Sequence, residues 1–307
     1  MKLNLYNADC FEAFKELEEQ SVDMVCVDPP YGTTTISWDE TLDFNRMWKE
    51  LDRVCKEDAN IVMFGSQPFS SLLICSNIKN FKYELIWNKN KCGSPGLAKY
   101  RPNKVHENIM IFNKKTGIYN PIMEKGQAYI REAKDKENGY GSQRNSHGYG
   151  FGKKVVTSFS NEGTRYPKSI LHSSRNFSAQ QTVHPTQKPV SILCWLIMTY
   201  SNKGDTVLDF TMGSGSCGVA AKMTERNFIG IEQDSEYFKI CEKRINSIDN
   251  SEIITPDDFL LTTQISDQMK TTPDKKFSDN SVLDKIRGKS KKEQSKDNVL
   301  FNYLESS

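Results

Sequence analysis

Short apolar runs alternate with helically spaced apolar residues over the first 112 positions of the chain. Over residues 42–56, apolar positions recur every three to four residues, as in a helix that buries one face. A second helix is predicted to begin at Phe69. The strand-like runs are residues 22–27, 60–64, 83–87 and 108–112. Strands separated by helices predict a mainly parallel α/β sheet, with residues 1–112 as its first half.

The same alternation resumes in residues 184–250, which are predicted to form the second half of the sheet. Helices are predicted at 189–200, 218–226 and 235–245, and strands at 206–210 and 228–232. Beyond it, residues 251–307 are polar and of mixed charge. We expect this tail to be loosely ordered, with at most short helices.

Residues 113–183 break the rhythm and carry most of the positive charge. They hold 12 Lys/Arg against 5 Asp/Glu, a local net charge of +7, although the whole chain carries only +2. They also contain 8 of the 18 glycines and eight Tyr or Phe residues. Basic residues interleaved with aromatic ones are typical of an irregular module that binds a polyanion, and a disordered insert is the alternative.

Composition excludes several classes of protein. The chain of 307 residues is long enough for one large domain with an insert. Residues 1–4 lack the apolar core of a signal peptide, and the uncharged stretch 189–202 is too short to span a bilayer. Eight cysteines without a C-x-x-C pair indicate reduced core thiols, and four histidines lack metal-ligand spacing. We expect a cytoplasmic protein with no membrane contact and no metal.

Gly213, Gly215 and Gly218 form a G-x-G-x-x-G loop between a predicted strand and a predicted helix. Glycines let the backbone approach a ligand closely. Glu232 lies 19 residues beyond Gly213, at the end of the next strand, where a carboxylate can bind both ribose hydroxyls. This layout predicts a nucleotide-binding site for either NAD or S-adenosylmethionine, and a purely structural turn is the alternative.

Asp209 favours S-adenosylmethionine over NAD. It ends the strand before the loop, and Phe210 and Thr211 follow. A carboxylate there suits the cationic amino group of a methionine moiety, whereas it would repel a pyrophosphate at the helix N-terminus. A NAD-dependent oxidoreductase stays the alternative from another enzyme class, although the sequence shows no hydride-transfer apparatus.

Asp28-Pro29-Pro30-Tyr31 closes the first strand-like run and is the predicted catalytic tetrapeptide. Two consecutive prolines stop the strand and fix the local φ angles. We expect the carbonyls of Asp28 and Pro29 to be unpaired locally and to face a cleft at the carboxyl edge of the sheet. A proline-stiffened turn is the alternative.

A carboxylate, a carbonyl and an aromatic ring suit a planar exocyclic amine. Such a nitrogen is a poor nucleophile because its lone pair is conjugated with the base. Acceptors for both of its hydrogens favour a tetrahedral nitrogen whose lone pair faces a sulfonium methyl group. The transfer therefore depends more on positioning than on a strong base.

Together these motifs resemble the amino-methyltransferase family of DNA methyltransferases, in its beta order. In that order the catalytic tetrapeptide comes first, the target-recognition region second and the cofactor loop last. The resemblance covers about residues 3–247. It implies a Rossmann-like, seven-stranded mixed sheet with the last strand antiparallel, and it implies that residues 113–183 are an inserted target-recognition region.

The resemblance also implies cofactor contacts, residue by residue. Asp9, in Asn7-Ala8-Asp9-Cys10, would lie beside the adenine, and Thr186 and Lys188 would bind the methionine carboxylate. The loop starts Asp-Phe-Thr where the family usually has Asp-Pro-Phe, which leaves open which side chain lines the cofactor. The cofactor residues of the loop and strand end are Asp209, Phe210, Thr211, Gly213, Ser214, Gly215, Ser216 and Glu232.

The function implied is methylation of the N6 amino group of a flipped-out adenine in double-stranded DNA, in a prokaryotic or phage-infected cell. Aspartate at the first catalytic position favours adenine, with cytosine-N4 methylation as the near alternative. A cytosine-C5 enzyme is disfavoured because no Pro-Cys pair occurs. RNA or protein amino groups, and a DNA-binding protein with a decayed site, fit less well.

The candidate DNA contacts are basic residues of the insert. Each can touch phosphates as readily as bases, so the target sequence is not readable. The resemblance leaves open a homodimer and a cognate restriction endonuclease as partners. The candidate contacts are Arg131, Arg144, Lys153, Lys154, Arg165 and Arg175.

Overall fold

A computed structural model describes residues 1–32, 42–89, 96, 98–131, 159–172 and 187–258. Its centre is a mixed sheet of eight strands. In spatial order the strands are β1 (Leu3–Asn7), β12 (Asn227–Glu232), β11 (Thr206–Asp209), β2 (Val22–Val27), β3 (Cys55–Gly65), β5 (His106–Phe112), β4 (Phe81–Asn88) and β10 (Ile170–His172).

All strands of this sheet run parallel except β5, which is antiparallel to both of its neighbours, β3 and β4. The first seven strands in the spatial order form the expected seven-stranded mixed sheet. The antiparallel strand is β5 and not the last strand of the chain, β12, which runs parallel to both of its neighbours. The short strand β10 adds an eighth strand beside β4. It comes from the segment predicted to be an insert, so that segment also contributes to the main sheet.

Within the described ranges, three helices cover each face of the sheet. Alternate residues of the central strands point to opposite faces, as Met24 and Val25 do on β2, and each set joins a different apolar cluster. The first face carries α4 (Val190–Tyr200), α5 (Ser216–Met223) and α6 (Ser235–Ser247). The second face carries α1 (Cys10–Phe14), α2 (Phe44–Val54) and α3 (Phe69–Ser76).

Helix α2 begins later and β3 begins earlier than the sequence predicts. The Asp43 carboxylate caps α2 by accepting the backbone N–H groups of Asn45 and Arg46, at 2.9 and 3.2 Å. The helix ends at Val54, and β3 runs from Cys55. Apolar periodicity misses this start because the next residues are polar and exposed, and Lys56 pairs with Asp23 of β2 at 2.5 Å.

The middle segment contains short strand pairs where the sequence showed no periodicity. Strand β6 (Glu124–Lys125) pairs with β9 (Thr164–Arg165), and β7 (Tyr129–Arg131) pairs with β8 (Phe159–Asn161). Two-residue and three-residue strands are too short to leave an alternating apolar pattern.

The described start of the polar tail packs against the domain. A 3₁₀ turn spans Asn250–Glu252, and the N–H of Ile254 bonds to the carbonyl of Met223 at 2.8 Å. The rest of the predicted loose tail lies outside the described residues. Across the described ranges, no helix has the length and apolar character needed to cross a membrane.

Candidate active site

Three acidic side chains meet at the carboxyl edge of the sheet because neighbouring parallel strands end there. Asp28 follows β2, Asp209 ends β11 and Glu232 ends β12. Strands β2, β11 and β12 are consecutive in the sheet. Ligands of open α/β sheets bind at this edge, so the predicted catalytic and cofactor residues are brought to one place.

The glycine loop takes a conformation that requires glycine. Gly213 and Gly215 have φ angles of +51° and +77°, in the left-handed region. A Cβ at Gly213 would meet no atom of the described residues within 4 Å, so this position is open, whereas a Cβ at Gly215 would lie 2.6 Å from that of Cys241. Gly215 therefore serves packing against α6, and Gly213 leaves room for a ligand.

Glu232 is fixed by the loop that it faces. Its Oε2 accepts the N–H of Gly213 at 2.9 Å, and its Oε1 accepts the N–H of Asp234 at 2.8 Å. Burial raises the pKa of this carboxyl, although both backbone bonds oppose the rise. The strand end and the loop are thus one rigid unit.

Asp209 is a buried carboxyl, and the described residues place no cation beside it. Burial, followed by the nearby charges of Asp28 and Glu232, raises its pKa to about 8, and the N–H of Thr211 at 3.2 Å offsets only part of this. A cationic ligand group would relieve that cost. The residues present therefore fit S-adenosylmethionine: Asp209 suits its amino group, Glu232 its ribose, and the open space at Gly213 a close backbone approach.

Asp28 lies at the centre of a charged network. Its Oδ1 accepts the hydroxyl of Tyr31 at 2.6 Å, and its Oδ2 accepts the ammonium of Lys188. Lys188 also lies 3.4 Å from Oε2 of Glu107, whose Oε1 is bonded to Lys89 at 2.8 Å. Lysines and carboxylates thus alternate along the edge formed by β2, β5 and β4.

Burial and charge have opposite effects on this network. Burial acts to raise the pKa of Glu107, but Lys188 and Lys89 outweigh it and hold that pKa below its usual value. Burial likewise acts to lower the pKa of Lys188, but Asp28 and Glu107 outweigh it and raise that pKa. Glu107 and Lys188 therefore form a charged pair at neutral pH.

The aromatic part of the tetrapeptide packs against α3. The ring centroid of Tyr31 lies 5.0 Å from that of Phe69, and Pro29 is buried. These contacts hold the Tyr31 ring beside Asp28, where a planar base can stack on it.

Two predicted cofactor residues have structural contacts of their own. Asp9 caps α1, accepting the N–H groups of Phe11 and Glu12 at 2.9 and 3.2 Å. Phe210 is only 1% exposed, and its ring lies 5.6 Å from that of Phe14, so its side chain belongs to the core. For a cofactor contact, Asp9 therefore has its second carboxylate oxygen, and Phe210 has its backbone groups but not its side chain.

Thr211, Ser214 and Ser216 lie at the loop. The hydroxyl of Thr211 bonds to the backbone carbonyl of Asp28 at 3.2 Å. Ser214 and Ser216 are buried, and Arg244 donates to the Ser214 carbonyl. Thr186 lies outside the described residues, so its predicted role is untested.

Most candidate DNA contacts lie outside the described side chains, namely Arg131, Arg144, Lys153, Lys154 and Arg175. Arg165 is described, and its guanidinium lies 4.7 Å above the ring of Tyr129 and bonds to the Gln127 carbonyl at 3.0 Å. These contacts join the short strands of the insert, so Arg165 has a structural task beside any contact with DNA.

Sequence reasoning missed the part played by Glu107 and Lys89. His106-Glu107-Asn108 resembles a segment of the family, but no role beyond packing followed from it. The signal was a glutamate at the start of an apolar strand. Because β5 runs antiparallel to its neighbours, that start lies at the ligand-binding edge. Within the described part of the chain, no cluster of side chains has the composition of a metal site.

Fold and site together define an S-adenosylmethionine-dependent methyltransferase. The chain belongs to the DNA methylase family, whose model matches residues 22–243. The enzyme is therefore a DNA methyltransferase, and the oxidoreductase alternative is set aside.

Curated relatives support the same assignment. The Type II methyltransferase M2.LlaDCHI of Lactococcus lactis subsp. cremoris is 30% identical over 79% of this chain and 88% of its own. M1.MboII of Moraxella bovis, also a Type II methyltransferase, is 28% identical over 80% of this chain and 97% of its own. The DNA adenine methyltransferase YhdJ of Escherichia coli K12 is 28% identical over 79% of this chain and 82% of its own.

Solved structures share the fold. The M1.HpyAVI–SAM complex superposes with a TM-score of 0.54 at 25% identity, covering 80% of this chain and 99% of that one. The cytosine-N4-specific PvuII DNA methyltransferase superposes with a TM-score of 0.58 at 17% identity, covering 88% of this chain and 93% of that one. The latter similarity is one of fold alone.

Proposed function

We propose that this enzyme methylates the N6 amino group of adenine in double-stranded DNA, with Asp28-Pro29-Pro30-Tyr31 as the catalytic tetrapeptide. The observation that carries the proposal is the position of the Asp28 carboxylate, which lies at the end of β2 and is bonded to the Tyr31 hydroxyl at 2.6 Å. The adenine methyltransferase YhdJ among the relatives supports the choice of base.

The target base must leave the duplex stack before it can reach this edge, and unstacking costs a few kcal/mol. Stacking on the Tyr31 ring offsets part of that cost. The Asp28 carboxylate then accepts one hydrogen of the amino group. Because Thr211 already donates to the Asp28 carbonyl, the Pro29 carbonyl is the acceptor that we assign to the other hydrogen.

When bound, S-adenosylmethionine would supply a sulfonium methyl group to the amino nitrogen, and the electron pair of the broken S–C bond would stay on the departing neutral thioether. Asp28 has two tasks in the transfer. It orients the nitrogen lone pair, and it stabilises the positive charge that develops on that nitrogen as it becomes bonded to the methyl carbon. One N–H proton then leaves toward this carboxylate or toward solvent.

We assign duplex binding to the basic segment 113–183, with Arg131, Arg144, Lys153, Lys154, Arg165 and Arg175 as candidate contacts. The support is its net charge of +7 and the relatives' action on DNA. A homodimer and a partner restriction endonuclease stay predictions, although two of the relatives above are named Type II methyltransferases.

Mass spectrometry of nucleosides tests the choice of base. Unmethylated bacterial DNA is incubated with the enzyme and with S-adenosylmethionine carrying a deuterated methyl group, and is then digested. Labelled N6-methyladenine is the expected product. Labelled N4-methylcytosine without labelled methyladenine would replace the adenine assignment with the cytosine-N4 alternative, while leaving the amino-methyltransferase chemistry intact.

A further inference from the structure

Lys188 is held between two carboxylates at the catalytic edge. Only 9% of its side chain is exposed, against 26% for Asp28 and 15% for Glu107. Its ammonium donates to Oδ2 of Asp28 and lies 3.4 Å from Oε2 of Glu107. The lysine therefore has one engaged partner and a second within a short movement.

The engaged position conflicts with the chemistry assigned to Asp28. Methyl transfer places positive charge on the amino nitrogen beside that carboxylate. An ammonium ion bonded to the same carboxylate opposes this charge and weakens the carboxylate as an acceptor, more strongly where water is excluded. Lys188 must move away from Asp28 before the base nitrogen can benefit from it.

Glu107 offers the place to which Lys188 can move. Its Oε2 is buried, and in the described part of the chain its contact with Lys188 at 3.4 Å is an ion pair without good hydrogen-bond geometry, which is unusual for a buried carboxylate oxygen. Lys89 bonds to the other oxygen, Oε1, at 2.8 Å and so fixes the carboxylate from the far side. A fixed carboxylate whose second oxygen already lies 3.4 Å from the Lys188 ammonium can accept a full hydrogen bond from it after a short movement.

We propose that Lys188 covers Asp28 in the free enzyme and shifts to Oε2 of Glu107 when the target amino group enters, so that Glu107 is a positioning residue for methyl transfer. This inference rests on the proposed role of Asp28 as the acceptor for the base. It adds one requirement to the role of Asp28, namely that the Lys188 ammonium has a second carboxylate to bind.

A double-mutant cycle with Glu107→Gln and Lys188→Met tests the proposal. Initial rates are measured on unmethylated genomic DNA at saturating cofactor and DNA, and cofactor affinity is measured by calorimetry without DNA. Glutamine keeps the shape of Glu107 but removes the charge, so Lys188 stays on Asp28. We expect kcat of Glu107→Gln to fall by at least about tenfold, with the cofactor Kd within about twofold of wild type.

The double variant gives the decisive result. If Lys188 blocks Asp28 by binding its carboxylate, Lys188→Met frees that carboxylate, and kcat of the double variant exceeds that of Glu107→Gln alone. A double variant as slow as Glu107→Gln, or slower, would overturn the proposal, as would an unchanged kcat in Glu107→Gln. A merely structural Glu107 predicts the same loss whether or not Lys188 is present.

Two further variants keep the test interpretable. Glu84→Gln removes an exposed carboxylate that bonds to Asn108 at 2.9 Å, and it should leave kcat unchanged. Glu107→Asp keeps the charge but withdraws the acceptor by one methylene group. The kcat of Glu107→Asp should likewise be lower with Lys188 present than in combination with Lys188→Met. A lower kcat in the combined variant would count against the shift. Loss of the Asp28 role itself is detected separately by Asp28→Ala.

Discussion

The hydroxyl of Thr211 donates a hydrogen bond to the backbone carbonyl of Asp28 at 3.2 Å, joining residues 183 positions apart. The bond links the cofactor loop to the catalytic tetrapeptide. It also corrects the expectation that the Asp28 carbonyl is free to face the cleft. Thr211, the third residue of the unusual Asp-Phe-Thr start of the loop, therefore has a structural role: it bonds the loop to the tetrapeptide.

Thr211→Val removes this hydroxyl at nearly constant volume. Loss of one partly buried hydrogen bond should lower the free energy of unfolding by about 1 kcal/mol. If the bond also aligns Asp28, methyl transfer should slow by about fivefold. Rates and urea denaturation measure the two effects, and Thr211→Ser should retain both properties. A fully active valine variant would show that the tetrapeptide does not need this link.

Gly213 and Gly215 should respond differently to alanine, although both have positive φ angles. The left-handed backbone costs either variant about 1 kcal/mol. Gly215→Ala also forces a contact at 2.6 Å with the Cβ of Cys241, so its total loss of stability should reach about 2–4 kcal/mol.

The methyl group of Gly213→Ala meets no atom of the described part of the chain within 4 Å, so the variant should fold, yet it should bind S-adenosylmethionine at least about tenfold more weakly in calorimetry. Wild-type affinity in Gly213→Ala would mean that the cofactor does not approach this position.

Asp209 should make cofactor binding release a proton. Its pKa is raised to about 8, so the carboxyl is largely protonated in the free enzyme at pH 7. Pairing with the cationic amino group favours the ionised form, and the proton must leave. Calorimetry at pH 7 in buffers of different ionisation enthalpy should report up to about one proton released. Asp209→Asn should release none, and equal release by both proteins would exclude Asp209 as the source.

The same carboxyl should affect stability with a defined sign. The folded protein holds this proton up to about pH 8, whereas the unfolded chain loses it near 3.8. The folded state binds more protons in this window, so the contribution of Asp209 to stability falls as pH rises through it. The Asp209→Asn variant should lose less stability than wild type between pH 5 and pH 8, in the range set by that pKa. An identical pH dependence of both proteins would contradict the raised pKa.

Lys104 is expected to contact a DNA phosphate at the rim of the site. Its ammonium donates to the neutral hydroxyl of Ser66, just beyond β3. Burial, followed by neighbouring basic groups, lowers the pKa of Lys104 even though Glu107 acts to raise it. A DNA phosphate would favour the charged form of this lysine. Lys104→Gln should weaken DNA binding and reduce the slope of log Kd against log salt by about one. Lys203→Gln removes an exposed lysine paired with Glu225 and should leave the slope unchanged. Equal slopes in both variants would exclude Lys104 from phosphate binding.

The sequence predicts the fold well where apolar patterns are long and buried. The central strands β2, β11 and β12 and the helix α4 have near-continuous apolar runs, and their predicted positions are confirmed. Strand β1 left no clear signal because its five residues lie at the sheet edge, where three are half-buried and two are exposed. Strand β10 has three residues, and its pairing with β4 depends on tertiary contacts.

Local motifs revealed which residues carry chemistry, but not how they pair. Asp28, Asp209 and Glu232 were predicted from strand ends and the glycine loop. The contact between Lys188 and Asp28 joins residues 160 positions apart, and spacing along the chain cannot report it. The bond from Lys89 to Glu107 depends in the same way on β4 lying beside β5.

Asp28→Ala tests most directly the claim that Asp28 is catalytic, because it compares the rate of methyl transfer to DNA with the affinity for S-adenosylmethionine in one variant. Methyl transfer to unmethylated genomic DNA should fall by at least about a thousandfold, because the group that stabilises the developing charge is gone. The calorimetric Kd for S-adenosylmethionine should stay within about threefold of wild type, since Asp209, Glu232 and the glycine loop are intact. Transfer at a rate near that of wild type would contradict the assignment of Asp28-Pro29-Pro30-Tyr31 as the catalytic site.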